Sequence, residues 1–286
     1  MNYYHHIRNS IFLAFPIMLS QLGHVVVGVV DSLMVGRLGT EELAAVSLSN
    51  SFFNFVLLFG IGLSYGITPL ISSSKGENKN KSIGVILYNG LSINFLFAIF
   101  LSFILIISKF ILLELDQNKN VLDLTFPYLD VIAISLIPLM IFQTFKQYIE
   151  GLGFTKKPMV ISVISNVLNI VLNYLLIFGV GGFPRLEVLG AGYASLISRI
   201  FMMFCIIIYV LQTKKFNNFI NQLIFLSIKR KIINKILEIG IPSGFQFVFE
   251  IGSFSVAAVM IGWFGAEALA SHQIALNLAS ITYMIA

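Results

Sequence analysis

MVGRLGTEELAA, Met34 to Ala45, returns as MIGWFGAEALAS, Met260 to Ser271, displaced by 226 residues. Met34, Gly36, Gly39, Glu41, Leu43 and Ala44 fall on Met260, Gly262, Gly265, Glu267, Leu269 and Ala270. In the same register FPIMLSQLGH, Phe15 to His24, falls on IPSGFQFVFE, Ile241 to Glu250, and Pro16 meets Pro242 without a gap. The chain therefore holds one complete copy of a duplicated unit and the start of a second. What the unit folds into depends on what fills one period.

That filling is apolar. The 286 residues are 57% hydrophobic and 11% charged, with 27 phenylalanines and a mean hydropathy of +0.92. Soluble domains carry about 25% charged residues, so this composition belongs in a bilayer. A span needs roughly 20 apolar residues, and eight segments qualify: 11 to 35, 43 to 71, 83 to 108, 124 to 145, 159 to 180, 188 to 211, 236 to 262, and 268 to the end. Six spans fill one period. Six is even, so both copies enter the membrane in the same direction, related by an axis along its normal, which is a transporter architecture with its substrate path between the halves. The expected fold is an all-α polytopic membrane protein. A six-helix N-terminal lobe occupies residues 1–211, a basic inter-lobe loop residues 212–235, and the first two helices of a second, parallel-repeat lobe residues 236–286. Because the sequence stops inside the apolar run SITYMIA, Ser280 to Ala286, it is expected to be a truncated form of a protein of about twelve spans.

Orientation follows from the loop lysines and arginines. Thirteen of them, including Arg8, Lys75, Lys156 and Lys229 to Lys231, fall on the side of the N-terminus, against four on the other, Arg37, Lys109, Lys119 and Arg185. The N-terminus is expected in the cytoplasm. Orientation accounts for the basic balance, and no nucleic-acid partner is expected. The long first apolar stretch holds Pro16, Gln21 and His24 and shows no small-x-small site, so it is read as a retained helix and not a cleaved leader. Cys205, the sole cysteine, rules out a disulfide framework within the chain.

Directly after the valine run Val25 to Val30 stands the carboxylate Asp31. At the centre of a span an unpaired carboxylate costs on the order of 2.5 to 3.5 kcal/mol, so a use is expected for it. Asn169 and Asn173 are four apart and share a helix face, with Asn166 three residues earlier. One carboxylate with two amide carbonyls suits a hard ion such as Na⁺, and the same carboxylate can take a proton instead. Glu250 lies near mid-bilayer on the seventh span. Asn50, Asn54, His24 and Asp130 are read chiefly as structural polar residues. GLSYG, Gly62 to Gly66, fits G-x-S-x-G, but inside an apolar helix its small residues serve close packing and not a nucleophile elbow. Neither a phosphate-binding GxxxxGK[ST] loop nor an HExxH zinc motif occurs, so no enzymatic activity is expected.

Five segments resemble the multidrug and toxic compound extrusion (MATE) family, nearer its NorM-like branch: Phe15 to Ala45, EGLGFTKKP (Glu150 to Pro158), SNVLNIVLNYLLIFG (Ser165 to Gly179), LGAGYASLISR (Leu189 to Arg199) and GAEALASHQIALN (Gly265 to Asn277). The resemblance implies a MATE-like lobe and a cation site of Asp31 with Asn169 and Asn173. It also implies a second site at Glu250, with Phe254, Gln273 and Tyr283 as further cation or substrate contacts. The aspartate that a helix-ten segment supplies in NorM-like proteins has no counterpart here, and Asn173 is followed by Tyr174 where DinF-like members tend to carry Asp-Pro. The implied activity is efflux of amphipathic organic cations or drugs by Na⁺ or H⁺ antiport, with no cofactor, by a monomer in the bacterial inner membrane. The alternatives are a flippase of lipid-linked or polysaccharide precursors with a related fold, and an inactive truncated remnant.

Overall fold

Four prolines, Pro16, Pro127, Pro138 and Pro242, lie inside long helices. Such interior prolines are tolerated where neighbouring helices satisfy the freed backbone groups, as in membrane bundles. The computed structural model describes residues 3–114, 118–216, 228–262 and 275. Within these, regular structure is helical: α1 (Tyr3–Gly36), α2 (Thr40–Tyr65), α3 (Ile67–Gly76), α4 (Asn80–Leu113), α5 (Lys119–Gly151), α6 (Lys156–Phe178), α7 (Glu187–Gln212) and α8 (Arg230–Gly262), with a single 3₁₀ turn at Val180–Gly182. Five helical stretches among the described residues are long and apolar enough to cross a bilayer: Thr40–Gly76, Ser82–Leu113, Lys119–Gly151, Lys156–Phe178 and Glu187–Gln212.

All seven spans expected before residue 262 are helical, and the eighth lies outside the described residues. Several helices outrun their apolar segments, α1 by more than a turn at its start and α5 by more than a turn at both ends. Hydropathy marks the stretch that lipid would cover, whereas i→i−4 hydrogen bonding continues into the polar interface. For the same reason α8 begins at Arg230, within the polar link that was expected to run to Lys235. The segment 43 to 71 falls within one membrane-length stretch, Thr40–Gly76, which a turn at Gly66 divides into α2 and α3. Pro69 has no N–H to return to the carbonyl of Tyr65, so the ladder stops there and restarts with Pro69 in the first turn of α3.

α5 is the buried centre of the lobe and packs against α2, α4 and α7. Leu129, Ile132, Leu136 and Met140 of α5 meet Val46 and Phe53 of α2 in one apolar cluster. Nearer the other end, Ile149 of α5 joins Ile67, Ile71, Leu87 and Ile236 in a second. A buried polar bridge ties three helices between them: Asn94 Nδ2 of α4 donates to Ser64 Oγ of α2 at 3.2 Å and to Thr144 Oγ1 of α5 at 2.7 Å. The outward faces of α4 and α6 are apolar, with Leu96, Phe100, Phe103, Ile164 and Val167 exposed. A soluble protein rarely presents such a surface; a lipid-facing one is made of it.

Candidate functional site

The hairpin of α6 and α7, with α1 packed on it, builds the site. Gly179 ends α6 in the left-handed region at φ 69°, a conformation glycine adopts without a Cβ clash, and its N–H reaches the Leu175 carbonyl at 3.0 Å. The chain then returns, with the Leu186 N–H on the Leu176 carbonyl at 2.9 Å. Gly190 lets α7 close onto α6, since a Cβ there would stand 2.6 Å from the Leu176 carbonyl group. This antiparallel clamp sets the Asn169 amide against the hydroxyls of Ser195 and Ser198, 3.4 Å from each. α1 packs on the same face of α6, and Gly23 makes room there, because a Cβ would come 2.6 Å from Asn166 Nδ2.

Two turns beyond Gly23 on α1, Asp31 accepts a hydrogen bond from Asn173 Nδ2. The same nitrogen lies 3.2 Å from Asn169 Oδ1. Asp31, Asn169 and Asn173, which come from separate parts of the sequence, are thus brought together as one cluster. Asn173 is fully buried and Asn169 is 4% exposed, while Asp31 is half-buried at the edge of a cavity. Asn173 Oδ1 is a buried acceptor without a hydrogen-bond partner, a rare condition for an amide oxygen. The Asn169 amide fits in two orientations. In one its oxygen stands 3.2 Å from Asp31 Oδ1, and in the other its nitrogen donates to that carboxylate while its oxygen accepts from the Ser195 N–H at 3.3 Å. The second gives Asp31 Oδ1 a second amide donor beside Asn173.

The cavity beside the cluster has a volume of about 440 Å³, within the range of small-molecule pockets. Apolar side chains of α2 and α7, among them Leu57, Ile61 and Met202, form part of its wall. Asn50 and Asn54 also line it, and Asn50 Oδ1 accepts from the Tyr128 hydroxyl at 3.4 Å. Among the polar lining groups, Tyr128, Gln143, Ser165, Ser195, Ser198 and Arg199 were not singled out in the sequence. Arg199 did leave a signal, being a guanidinium inside an apolar span. The hydroxyls left none, since serine in a membrane helix is ordinary.

Glu250 does not join this cluster. It lies half-buried on α8, outside the cavity lining, with its backbone carbonyl accepting from Ser253 Oγ at 2.7 Å. Gln273, Tyr283 and the side chains of Phe254 and His24 lie outside the described residues. Asp130 is structural, paired with Lys109 at 2.5 Å.

The MatE family model matches residues 16–175 of this sequence, more than half of it and all of the helices that build the cluster except α7. The chain belongs to the MATE family. Among curated MATE relatives, a probable multidrug resistance protein NorM of Halalkalibacterium halodurans is 33% identical over 285 residues, covering 97% of this chain and 61% of that protein. The multidrug resistance protein NorM of Photobacterium profundum is 28% identical over 284 residues, 99% of this chain and 62% of the relative. The chain therefore spans about three fifths of the length of these relatives. The fold agrees with solved MATE structures: one in a bent conformation at a TM-score of 0.87 and 20% identity, covering 96% of this chain and 61% of that one. The eukaryotic MATE transporter AtDTX14 follows at 0.83 and 20% identity, covering 100% and 63%. This chain is accordingly a multi-pass membrane protein of a transporter family.

Proposed function

We propose that this MATE chain forms the N-terminal lobe, and the start of the second, of a secondary active multidrug efflux transporter in the bacterial plasma membrane, with its N-terminus in the cytoplasm. Na⁺ or H⁺ binds at Asp31 with Asn169 and Asn173, and its inward movement drives amphipathic organic cations or drugs outward. Glu250, with Phe254, Gln273 and Tyr283, belongs to the second lobe's site. The observation that carries this reading is the buried amide oxygen of Asn173, unpartnered beside Asp31 at the edge of a small-molecule-sized cavity. The similarity to NorM relatives supports multidrug export as the activity.

Cation binding neutralises the carboxylate and favours one arrangement of the lobes, while organic substrate favours the other; each shifts the equilibrium only by its differential affinity. The test is efflux of a fluorescent organic cation from cells expressing this chain alone and the same chain joined in frame to the C-terminal remainder of the Halalkalibacterium relative, with Na⁺ or pH jumps. Extrusion by the joined protein that stops on Asp31→Asn, with membrane insertion unchanged, is the expected result. Full extrusion by the Asp31→Asn variant would remove Asp31 from the mechanism, and no extrusion by an inserted joined protein would remove multidrug efflux.

A further inference from the structure

The segment EGLGFTKKP, Glu150 to Pro158, makes the turn between α5 and α6 and takes no part in the Asp31 cavity. Gly153 ends α5 in the left-handed region at φ 82°, and the Phe154 N–H returns to the Ile149 carbonyl at 3.0 Å. Phe154 is thereby set against Phe216, with ring centres 5.8 Å apart. Phe216 is 1% exposed and also meets Tyr148 and Tyr209, each at 5.8 Å. This aromatic nest fastens the chain leaving α7 to the α5–α6 turn, and Lys215 is carried there with it.

Two ammonium groups converge on the Phe154 ring. Lys75, at the end of α3, stands 5.6 Å from its centre, and Lys215, just after α7, stands 5.4 Å from it. Lys75 Nζ donates to the Leu152 carbonyl at 2.6 Å, which occupies one of its three N–H groups. Among the described residues no hydrogen bond engages the Lys215 ammonium, and no ion pair joins either lysine to a carboxylate. Glu77, two residues beyond Lys75, is paired with Lys79 at 2.5 Å. A ring attracts each cation but leaves the repulsion between them, which an anion shared by both would relieve. Lys156, Lys157 and Lys214 add charge of the same sign in adjoining residues.

Lys75 is one residue inside the end of the membrane-length stretch Thr40–Gly76, Phe154 is three beyond Lys119–Gly151, and Lys215 is three beyond Glu187–Gln212. All three therefore sit where the spans give way to lipid headgroups. The adjoining ends of α6 and α7 expose Val160, Ile208 and Leu211, an apolar surface at the depth of acyl chains. We propose that Lys75 and Lys215 hold the phosphate of an anionic phospholipid, whose acyl chains lie along the exposed apolar side chains of α6 and α7. Basic pockets beside membrane helices suit such headgroups, and under the proposed orientation this one faces the cytoplasmic leaflet. A free phosphate meets the same ammonium groups but leaves the apolar surface bare, whereas a lipid covers both. A choline headgroup brings its own cation to the phosphate and competes with the lysines for it. The bound lipid bridges the end of α3, the α5–α6 turn and the start of the link between the lobes, away from Asp31, and the site stands whether or not the chain takes part in efflux.

Native mass spectrometry of the purified 286-residue chain in a neutral detergent reads the binding of single lipids, with helicity by circular dichroism as the folding control. Phosphatidylglycerol is expected to bind about tenfold more tightly than phosphatidylcholine with the same acyl chains. The double variant Lys75→Gln/Lys215→Gln brings phosphatidylglycerol to the level of phosphatidylcholine while moving phosphatidylcholine less than about twofold. Lys231→Gln, a loss of one charge at the start of α8, moves phosphatidylglycerol less than about twofold. Equal binding of the two lipids to wild type, or unchanged phosphatidylglycerol binding in the double variant, overturns the site. A loss in Lys231→Gln as large as that in Lys215→Gln alone overturns it in favour of a diffuse positive surface. Inorganic phosphate at millimolar concentration, compared with chloride at equal ionic strength, is expected to leave the lipid bound; displacement would make the occupant a soluble phosphate and overturn the lipid site. If the double variant does not fold, unchanged phosphatidylglycerol affinity in Lys215→Gln alone overturns the site.

Discussion

At the scale of single residues, the cluster works because each polar group has few alternatives. Asn173 is fully buried, and its nitrogen is engaged with Asp31 and, at 3.2 Å, with Asn169. Asn173→Ala leaves the carboxylate without that donor and opens a small void, so a loss of about 1 to 3 kcal/mol is expected, read as a lower unfolding midpoint in detergent. Sodium or proton affinity, measured by calorimetry on the same samples, should fall as well. Retained affinity would separate Asn173 from ion binding. Lys109 and Asp130 give the contrasting case. They touch at 2.5 Å, but the Asp130 side chain is 44% exposed, so a double-mutant cycle should return a coupling of no more than about 1 kcal/mol. The two carboxylates look alike in sequence, each in an apolar run, and they part company by partner: Asp31 meets amides beside a cavity, Asp130 a lysine.

At the scale of elements, the decisive contact lies between α2 with its continuation and α8. Gly62 and Gly66 on one side face Gly240 and Gly244 on the other, each pair four apart. A Cβ on Gly62 would stand 2.5 Å from the Gly244 backbone, and one on Gly244 would stand 2.9 Å from the Phe59 carbonyl. The two GxxxG stretches let the backbones approach as larger residues could not. Gly244→Leu should therefore separate the helices at an overpacking cost of about 1 to 3 kcal/mol and speed amide hydrogen exchange in residues 59–66 and 236–244. Gly252→Ala is the control, because nothing lies within 4 Å of the added Cβ; exchange there should stay the same or slow. Equal exchange in wild type and Gly244→Leu would show that the close approach contributes little. The GLSYG stretch is thus a packing surface, as its apolar setting implied, but its partner on α8 could not be read from local sequence.

At the scale of the whole molecule, sidedness and driving force can be checked together. With Cys205 replaced by serine, Glu77→Cys should react with a membrane-impermeant thiol reagent only from the cytoplasmic side and Lys119→Cys only from outside; the reverse pattern would invert the proposed orientation. A membrane potential of about 100 mV supplies roughly 2.3 kcal/mol per charge and one pH unit about 1.4. The joined protein should therefore hold a substrate gradient of at most a few hundredfold per coupled proton. An uncoupler that collapses both components should stop extrusion within the time the gradients take to decay, and replacement of Na⁺ at constant pH distinguishes the coupling ion.

Fold class and the helical spans before residue 262 were legible in the sequence, because they depend on properties that are local or periodic. Hydropathy requires only some 20 consecutive residues, and the repeat only Pro16 and Met34 finding Pro242 and Met260 in register. Asn169 and Asn173 were visible as a pair by helical spacing, and Asp31 by the cost of a carboxylate in a span. That these three meet was carried in the sequence reading by family resemblance, since α1 and α6 stand more than a hundred residues apart and no local pattern joins them. The break at Gly66 could have been read from Pro69, which cannot complete the ladder four residues back. Arg199 announced itself as an anomaly but not as a neighbour: its partners Ser135 and Phe53 come from α5 and α2. Only the tertiary packing decided that its charge faces the Asp31 cavity without a carboxylate within ion-pair reach, because that outcome depends on the rotation of three helices about their axes, which hydrophobic periodicity leaves free once nearly every face is apolar.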